Sequence, residues 1–122
     1  MAFVTIRNGQ RGCFGFSRAN ELQVYNVKNI ETPILINTLN LTFPVGVGLD
    51  KNLLFVCDAG LKILDVSNPI EIKQLHFLSN VDALDVIPLN GQLLVIGAGK
   101  ITQLDYKDIK NIKIISEFDL KK

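Results

Sequence analysis

Short apolar runs rich in Val, Ile, Leu and Phe follow one another along the chain, separated by clusters of Gly, Asn, Asp and Pro. That is the pattern of short β-strands joined by tight turns. No segment of about ten residues keeps the i, i+3, i+4 apolar spacing of an amphipathic helix. The pattern also repeats. Leu22-Gln23-Val24-Tyr25-Asn26-Val27 matches Leu61-Lys62-Ile63-Leu64-Asp65-Val66 and Ile101-Thr102-Gln103-Leu104-Asp105-Tyr106, at offsets of 39 and 40 residues. Leu53-Leu54-Phe55-Val56 matches Leu93-Leu94-Val95-Ile96 at an offset of 40, and Phe3-Val4-Thr5-Ile6 reads as the first copy of that strand. Ile34–Leu39, Lys73–Leu78 and Lys113–Phe118 form a third matching set.

Four strands per ~40 residues is the period of a propeller blade. The second unit predicts strands near 44–49, 53–57, 61–66 and 72–78. The third predicts them near 83–88, 92–97, 101–106 and 112–118. The first has strands near 3–6, 22–27 and 34–41 and lacks an innermost strand. Asp58-Ala59-Gly60, Ala98-Gly99-Lys100, Asp50-Lys51-Asn52 and Asn90-Gly91-Gln92 fit hairpin turns, Asn-Gly being a favoured pair. Leu61–Val66 places apolar side chains on both faces of one strand, so both faces need cover. The chain is therefore expected to be all-β: a single partial β-propeller domain over residues 1–122. Its two and a half to three four-stranded antiparallel blades fall at about 3–41, 43–79 and 81–119.

The units resemble LVIVD-repeat propellers, a family of bacterial, mostly cell-envelope or secreted proteins. The resemblance rests on Leu53–Asp58, on Gly60–Pro69 with Leu61-Lys62-Ile63-Leu64-Asp65-Val66 at its centre, and on Val81–Gly91; Ala19–Val27 is a looser copy. It covers nearly the whole chain and implies a fold, with no common reaction attached. Family members close a ring of about six or seven blades, ~250 residues or more at ~40 per blade. This chain matches the C-terminal blades only. The Cys57–Gly60 turn is also shorter than the Gly-Asp-rich turn often seen there. A cell-envelope or extracellular setting follows from the resemblance alone.

An open arc of blades leaves two apolar faces uncovered. If each buried ~400 Å² in a closed ring, its exposure would forgo roughly 10 kcal/mol. Self-association or a protein partner on those faces is the expected consequence.

Composition narrows the partners. The 122 residues are 48% apolar and 20% charged, with a net charge of +1. Disorder is excluded, and no positive field exists to attract nucleic acid. No apolar run is long enough for a membrane helix, and no signal peptide is read at Met1–Arg7. Two cysteines do not make a disulfide framework: Cys57, in an apolar run, reads as a buried hydrophobe, and Cys13 sits in a polar loop.

Residues that recur once per unit are structural: Asn26, Asp65 and Asp105 each end the third strand, where a short polar side chain can accept backbone N–H bonds. Singular residues are the better functional candidates. The long loop 7–20 carries Arg7, Arg11, Phe14, Phe16 and Arg18, a set suited to anionic, sugar or protein partners. Its glycines form no phosphate loop, and no cofactor is implied. Asp82 and Asp85 stand where a blade approaches the propeller axis, but two carboxylates fall short of calcium's six to eight oxygens, so no metal is assigned. His76, the only histidine, falls on an outer strand as a surface or packing residue. The leading expectation is a non-catalytic interaction or scaffold module. The alternatives are a propeller enzyme completed by missing blades, using Asp82 and Asp85 on a sugar-like substrate, or a carbohydrate-binding propeller using the Arg/Phe loop.

Overall fold

The computed structural model describes residues 1–6 and 20–120. These are all-β: 60% strand, with no helix among them. The first sheet holds β1 (Ala2–Ile6), β2 (Glu21–Asn26) and β3 (Ile34–Asn40). The second holds β4 (Pro44–Asp50), β5 (Leu53–Asp58), β6 (Leu61–Asp65) and β7 (Lys73–Leu78). The third holds β8 (Asp85–Pro88), β9 (Gln92–Ile96), β10 (Lys100–Asp105) and β11 (Lys113–Asp119). Each sheet is an antiparallel meander in chain order, and the three sheets do not close on themselves. Every strand begins and ends within a residue or two of its predicted bounds. Among the described residues there is no helix long and apolar enough to cross a membrane.

The repeat is carried down to single hydrogen bonds. Register shifts opposite Val24/Tyr25, Ile63/Leu64 and Gln103/Leu104 leave Ile36, Leu75 and Ile115 as the extra residue of a bulge in each outer strand. After the third strand, Asn26, Asp65 and Asp105 each accept the amide two residues on, at 3.0, 2.9 and 2.9 Å. Asn29, Asn68 and Asp108 repeat the device at 3.2, 3.1 and 3.1 Å. These side chains stand in for backbone acceptors and fix two successive turns before the outer strand starts. The Ser67 amide on Asp65 also holds that carboxyl below its usual range.

One alignment differs from the sequence expectation. Leu54 pairs with Leu64, and Leu93 with Leu104, so β5 and β9 correspond at an offset of 39 rather than 40. Leu54 matches Leu93, and Asp58 matches Gly97. The turn between β9 and β10 absorbs the additional residue. The hairpin at Asn90-Gly91 takes φ of 49° and 101°, the twisted two-residue turn that Asn-Gly favours.

Two apolar layers separate the sheets. Leu22, Leu54, Val56, Leu64 and Val66 bury between the first and second sheets, with Phe3, Leu39 and Val47 packed against them. Phe55, Cys57, Leu61, Ile63, Val86, Leu93, Val95, Leu104 and Tyr106 bury between the second and third. β6 thus sends Leu61 and Ile63 one way and Leu64 the other, which is why both of its faces are apolar. Near the innermost strands the spacing depends on glycine. A Cβ on Gly46 would lie 2.5 Å from the Leu84 carbonyl oxygen, and one on Gly48 3.0 Å from Pro88. β4 and β8 approach closely because those side chains are absent.

The outer strands clasp the next sheet. Asn37 on β3 donates to the Pro69 carbonyl at 2.9 Å, and the His76 Nε2–H on β7 donates to the Ile109 carbonyl at 2.5 Å. The two donors stand at equivalent positions, as do the two acceptors. His76 is therefore the packing residue the sequence suggested, with a definite partner.

Candidate functional site

The loop candidates Arg7, Arg11, Phe14, Phe16 and Arg18 lie outside the described residues, as does Cys13. Asp82 and Asp85 lie within them, but each is engaged separately. Asp82 precedes β8 and accepts the Gly99 amide at 3.2 Å; Asp85 begins β8 and accepts the Val86 amide at 2.9 Å. Asp82 also explains Gly97, because a Cβ there would collide with the Asp82 side chain and carbonyl.

The corresponding place one sheet earlier inverts that arrangement. There the acid is Asp58, on β5, and the linker supplies the amides. Asp58 is fully buried and accepts from the Thr42 amide at 2.9 Å, from the Phe43 amide, and from Lys62 Nζ at 2.7 Å. Burial alone would raise its pKa; the lysine and the two amides outweigh burial and hold the carboxyl below its usual range. Both acids therefore tie a linker to a hairpin, one at each sheet junction.

A cleft of about 550 Å³ lies between the turns of the second and third sheets, lined by Asp50, Lys51, Asn52, Asn90, Tyr106 and Lys107 among others. Tyr106 Oη donates to Asp50 Oδ2 at 2.5 Å across the junction, and its ring packs against Phe55 in a tilted contact, with centroids 4.8 Å apart and planes at 58°. Burial, then the Asp50 bond, pushes the Tyr106 phenol up to about 12, so it is a neutral donor at neutral pH. Cys57 is likewise pushed up to about 12 by burial, then by nearby Asp85, and is an inert core thiol. Sequence reasoning did not single out the Asp50–Tyr106 pair. The available signal was its singularity: the matching positions hold Leu89 and Val66. Among the described residues no group of three or more His, Cys, Asp or Glu could hold a metal.

The third sheet's outer face is the most distinctive surface. Leu94, Ile96 and Ile101 are only half-buried, whereas their counterparts Phe55, Cys57 and Leu61 are completely enclosed. Ile87, 43% exposed, extends the patch. A polar chain crosses it: Gln103 donates to Gln92 at 2.9 Å and accepts from Ser116 at 3.2 Å. No protein-family model matches the sequence, and no curated protein matches it.

Proposed function

We propose that this chain is a non-catalytic interaction and scaffold module of the β-propeller type, resembling the C-terminal blades of an LVIVD-repeat propeller, and that it associates through the outer face of its third sheet. One observation supports this reading above the others. The face presents Leu94, Ile96 and Ile101 at the positions that form a closed apolar layer one sheet earlier. A surface of that composition gains free energy when covered. A second copy is the simplest cover, and the polar Gln92–Gln103–Ser116 chain would give the contact its register. Sedimentation velocity across the micromolar range tests it. The expected result is concentration-dependent association that Leu94→Lys abolishes without loss of strand content. A monomer at every concentration, for wild type and variant alike, would overturn self-association.

A further inference from the structure

We infer that Asn90 is a self-modification site: in the hairpin 89–92 its side-chain amide is lost to attack by the Gly91 nitrogen, leaving aspartate or isoaspartate at the rim of the cleft between the second and third sheets. This goes beyond the reading of the chain as an interaction module, because it concerns the covalent chemistry of one turn and not a contact surface.

An asparagine cyclises when its carboxamide is free, the next residue is too small to hinder ring closure, and the next backbone nitrogen is held by no acceptor. Asn90 meets all three conditions. Its side chain is exposed and makes no hydrogen bond among the described residues. Gly91 has no Cβ to obstruct the approach. The Gly91 N–H has no acceptor among the described residues. On either side of it, Leu89 N donates to Gln92 O at 2.7 Å and Gln92 N donates to Leu89 O at 3.5 Å. The second of these bonds closes the turn, and at that length it is weak. The turn can therefore open far enough for the Gly91 nitrogen to reach Asn90 Cγ. The other asparagines differ. Asn26, Asn29, Asn37 and Asn68 are engaged in hydrogen bonds, and no described asparagine but Asn90 precedes a glycine.

The setting favours the attack. The stem of Lys107 crosses Gly91, its Cγ 2.9 Å and its Cε 3.2 Å from where a Cβ would stand, and Lys51 lines the same cleft. Nearby cations stabilise the amide anion that attacks. The Gly91 amide gives its proton to solvent hydroxide, its nitrogen bonds to Asn90 Cγ, and the Cγ–Nδ2 bond breaks as ammonia leaves with a proton from water. Water then opens the cyclic imide. Opening at Cγ restores the peptide and gives aspartate; opening at the backbone carbonyl gives isoaspartate, with the main chain running through Cγ. One water is consumed and one ammonia released, with no change of oxidation state.

Either product adds a negative charge to the cleft that Lys51 and Lys107 line, and takes the net charge of the chain from +1 to zero. Isoaspartate also lengthens the main chain by one atom, which a two-residue hairpin turn does not accommodate. The Gly91 carbonyl accepts the Tyr106 amide at 2.9 Å, and Tyr106 donates to Asp50. A change in the turn is thereby passed to the contact between the second and third sheets.

The test incubates the intact folded chain at mildly alkaline pH and follows its tryptic peptides by mass spectrometry. Asn80 and Asn90 share the peptide 74–100, and Asn8, the other asparagine before a glycine, falls in a different one. The expected result is loss of the Asn90 amide at least about tenfold faster than that of Asn80, which precedes the branched Val81. Aspartate and isoaspartate should both form, at a rate that rises with pH. In the isoaspartyl fraction, NMR should show the Tyr106 amide exchanging with solvent. An Asn90 that reacts in urea but persists in the folded chain, or that reacts no faster than Asn80, would overturn the inference. An isoaspartyl chain whose Tyr106 amide stays protected would overturn the link to the sheet junction.

Discussion

Asn37 and His76 do the same work one sheet apart: each reaches from an outer strand to a turn carbonyl of the following sheet, at 2.9 and 2.5 Å. Only the N–H is shared between the two side chains, so the contact needs a donor at that height and nothing else of histidine. His76→Asn should therefore be tolerated within about 0.5 kcal/mol, and His76→Ala should cost about 1 kcal/mol. Urea denaturation monitored by circular dichroism measures both. A large loss in His76→Asn would mean the imidazole has a further role.

Asp58 is the buried acid on which the first sheet junction depends. Removing its charge leaves Lys62 unpaired and the amides of Thr42 and Phe43 with a weaker acceptor. Asp58→Asn should cost about 2 kcal/mol and Asp58→Ala about 3 kcal/mol. The pH dependence follows from the lowered pKa. A carboxyl depressed in the folded state contributes its stability above its unfolded value of ~4 and loses it as pH falls through the folded value. The stability gap between wild type and Asp58→Asn should accordingly narrow below about pH 4. Denaturant midpoints of the two proteins between neutral and acid pH check this.

Strand positions were legible because each strand is bounded locally, by a turn residue at either end and apolar side chains between. Register was less so. Leu53-Leu54 and Leu93-Leu94 look alike, and only the pairing of Leu54 with Leu64 and of Leu93 with Leu104 shows that the copies correspond one residue earlier than the letters suggest. The recurring Asn26, Asp65 and Asp105 were read as turn acceptors, and they are. The Asn37 and His76 clasps escaped notice because the two residues share a function and not a chemical type. The Asp50–Tyr106 bond joins residues far apart in the chain, at positions where the other repeats are apolar. Asp82 and Asp85 drew attention as a pair of carboxylates near an axis, yet the bond from the Gly99 amide to Asp82 ties a linker to a hairpin and Asp85 accepts the Val86 amide.

Gly46 should be intolerant of any side chain. Its added Cβ would lie 2.5 Å from a backbone oxygen and 2.9 Å from the Asp85 Cα, neither of which can move without shifting β8. Gly46→Ala is expected to cost about 2 kcal/mol or more. Gly99→Ala is the matched control, since a Cβ there meets nothing within 4 Å. Thermal melts of the two variants should separate clearly; equal melting temperatures would show that β4 and β8 do not approach as described.

Tyr106 gives the alkaline counterpart of Asp58. The phenol is 5% exposed, donates to Asp50, and is pushed up to about 12 by burial first and that bond second. In the unfolded chain it ionises near ~10. A group whose pKa is raised on folding contributes stability that is complete below the unfolded value and is lost as pH rises through the folded one. Stability should therefore fall between about pH 10 and the folded value near 12. Tyr106→Phe keeps the ring against Phe55 but loses the donor, so it should cost about 1 kcal/mol at neutral pH. It should also remove this part of the alkaline decline. Phenolate absorbance during alkaline titration, beside denaturant midpoints at neutral and high pH, separates the two effects. If Tyr106→Phe declines as steeply as wild type, the loss of stability comes from other groups and the Asp50 bond does not couple the second and third sheets.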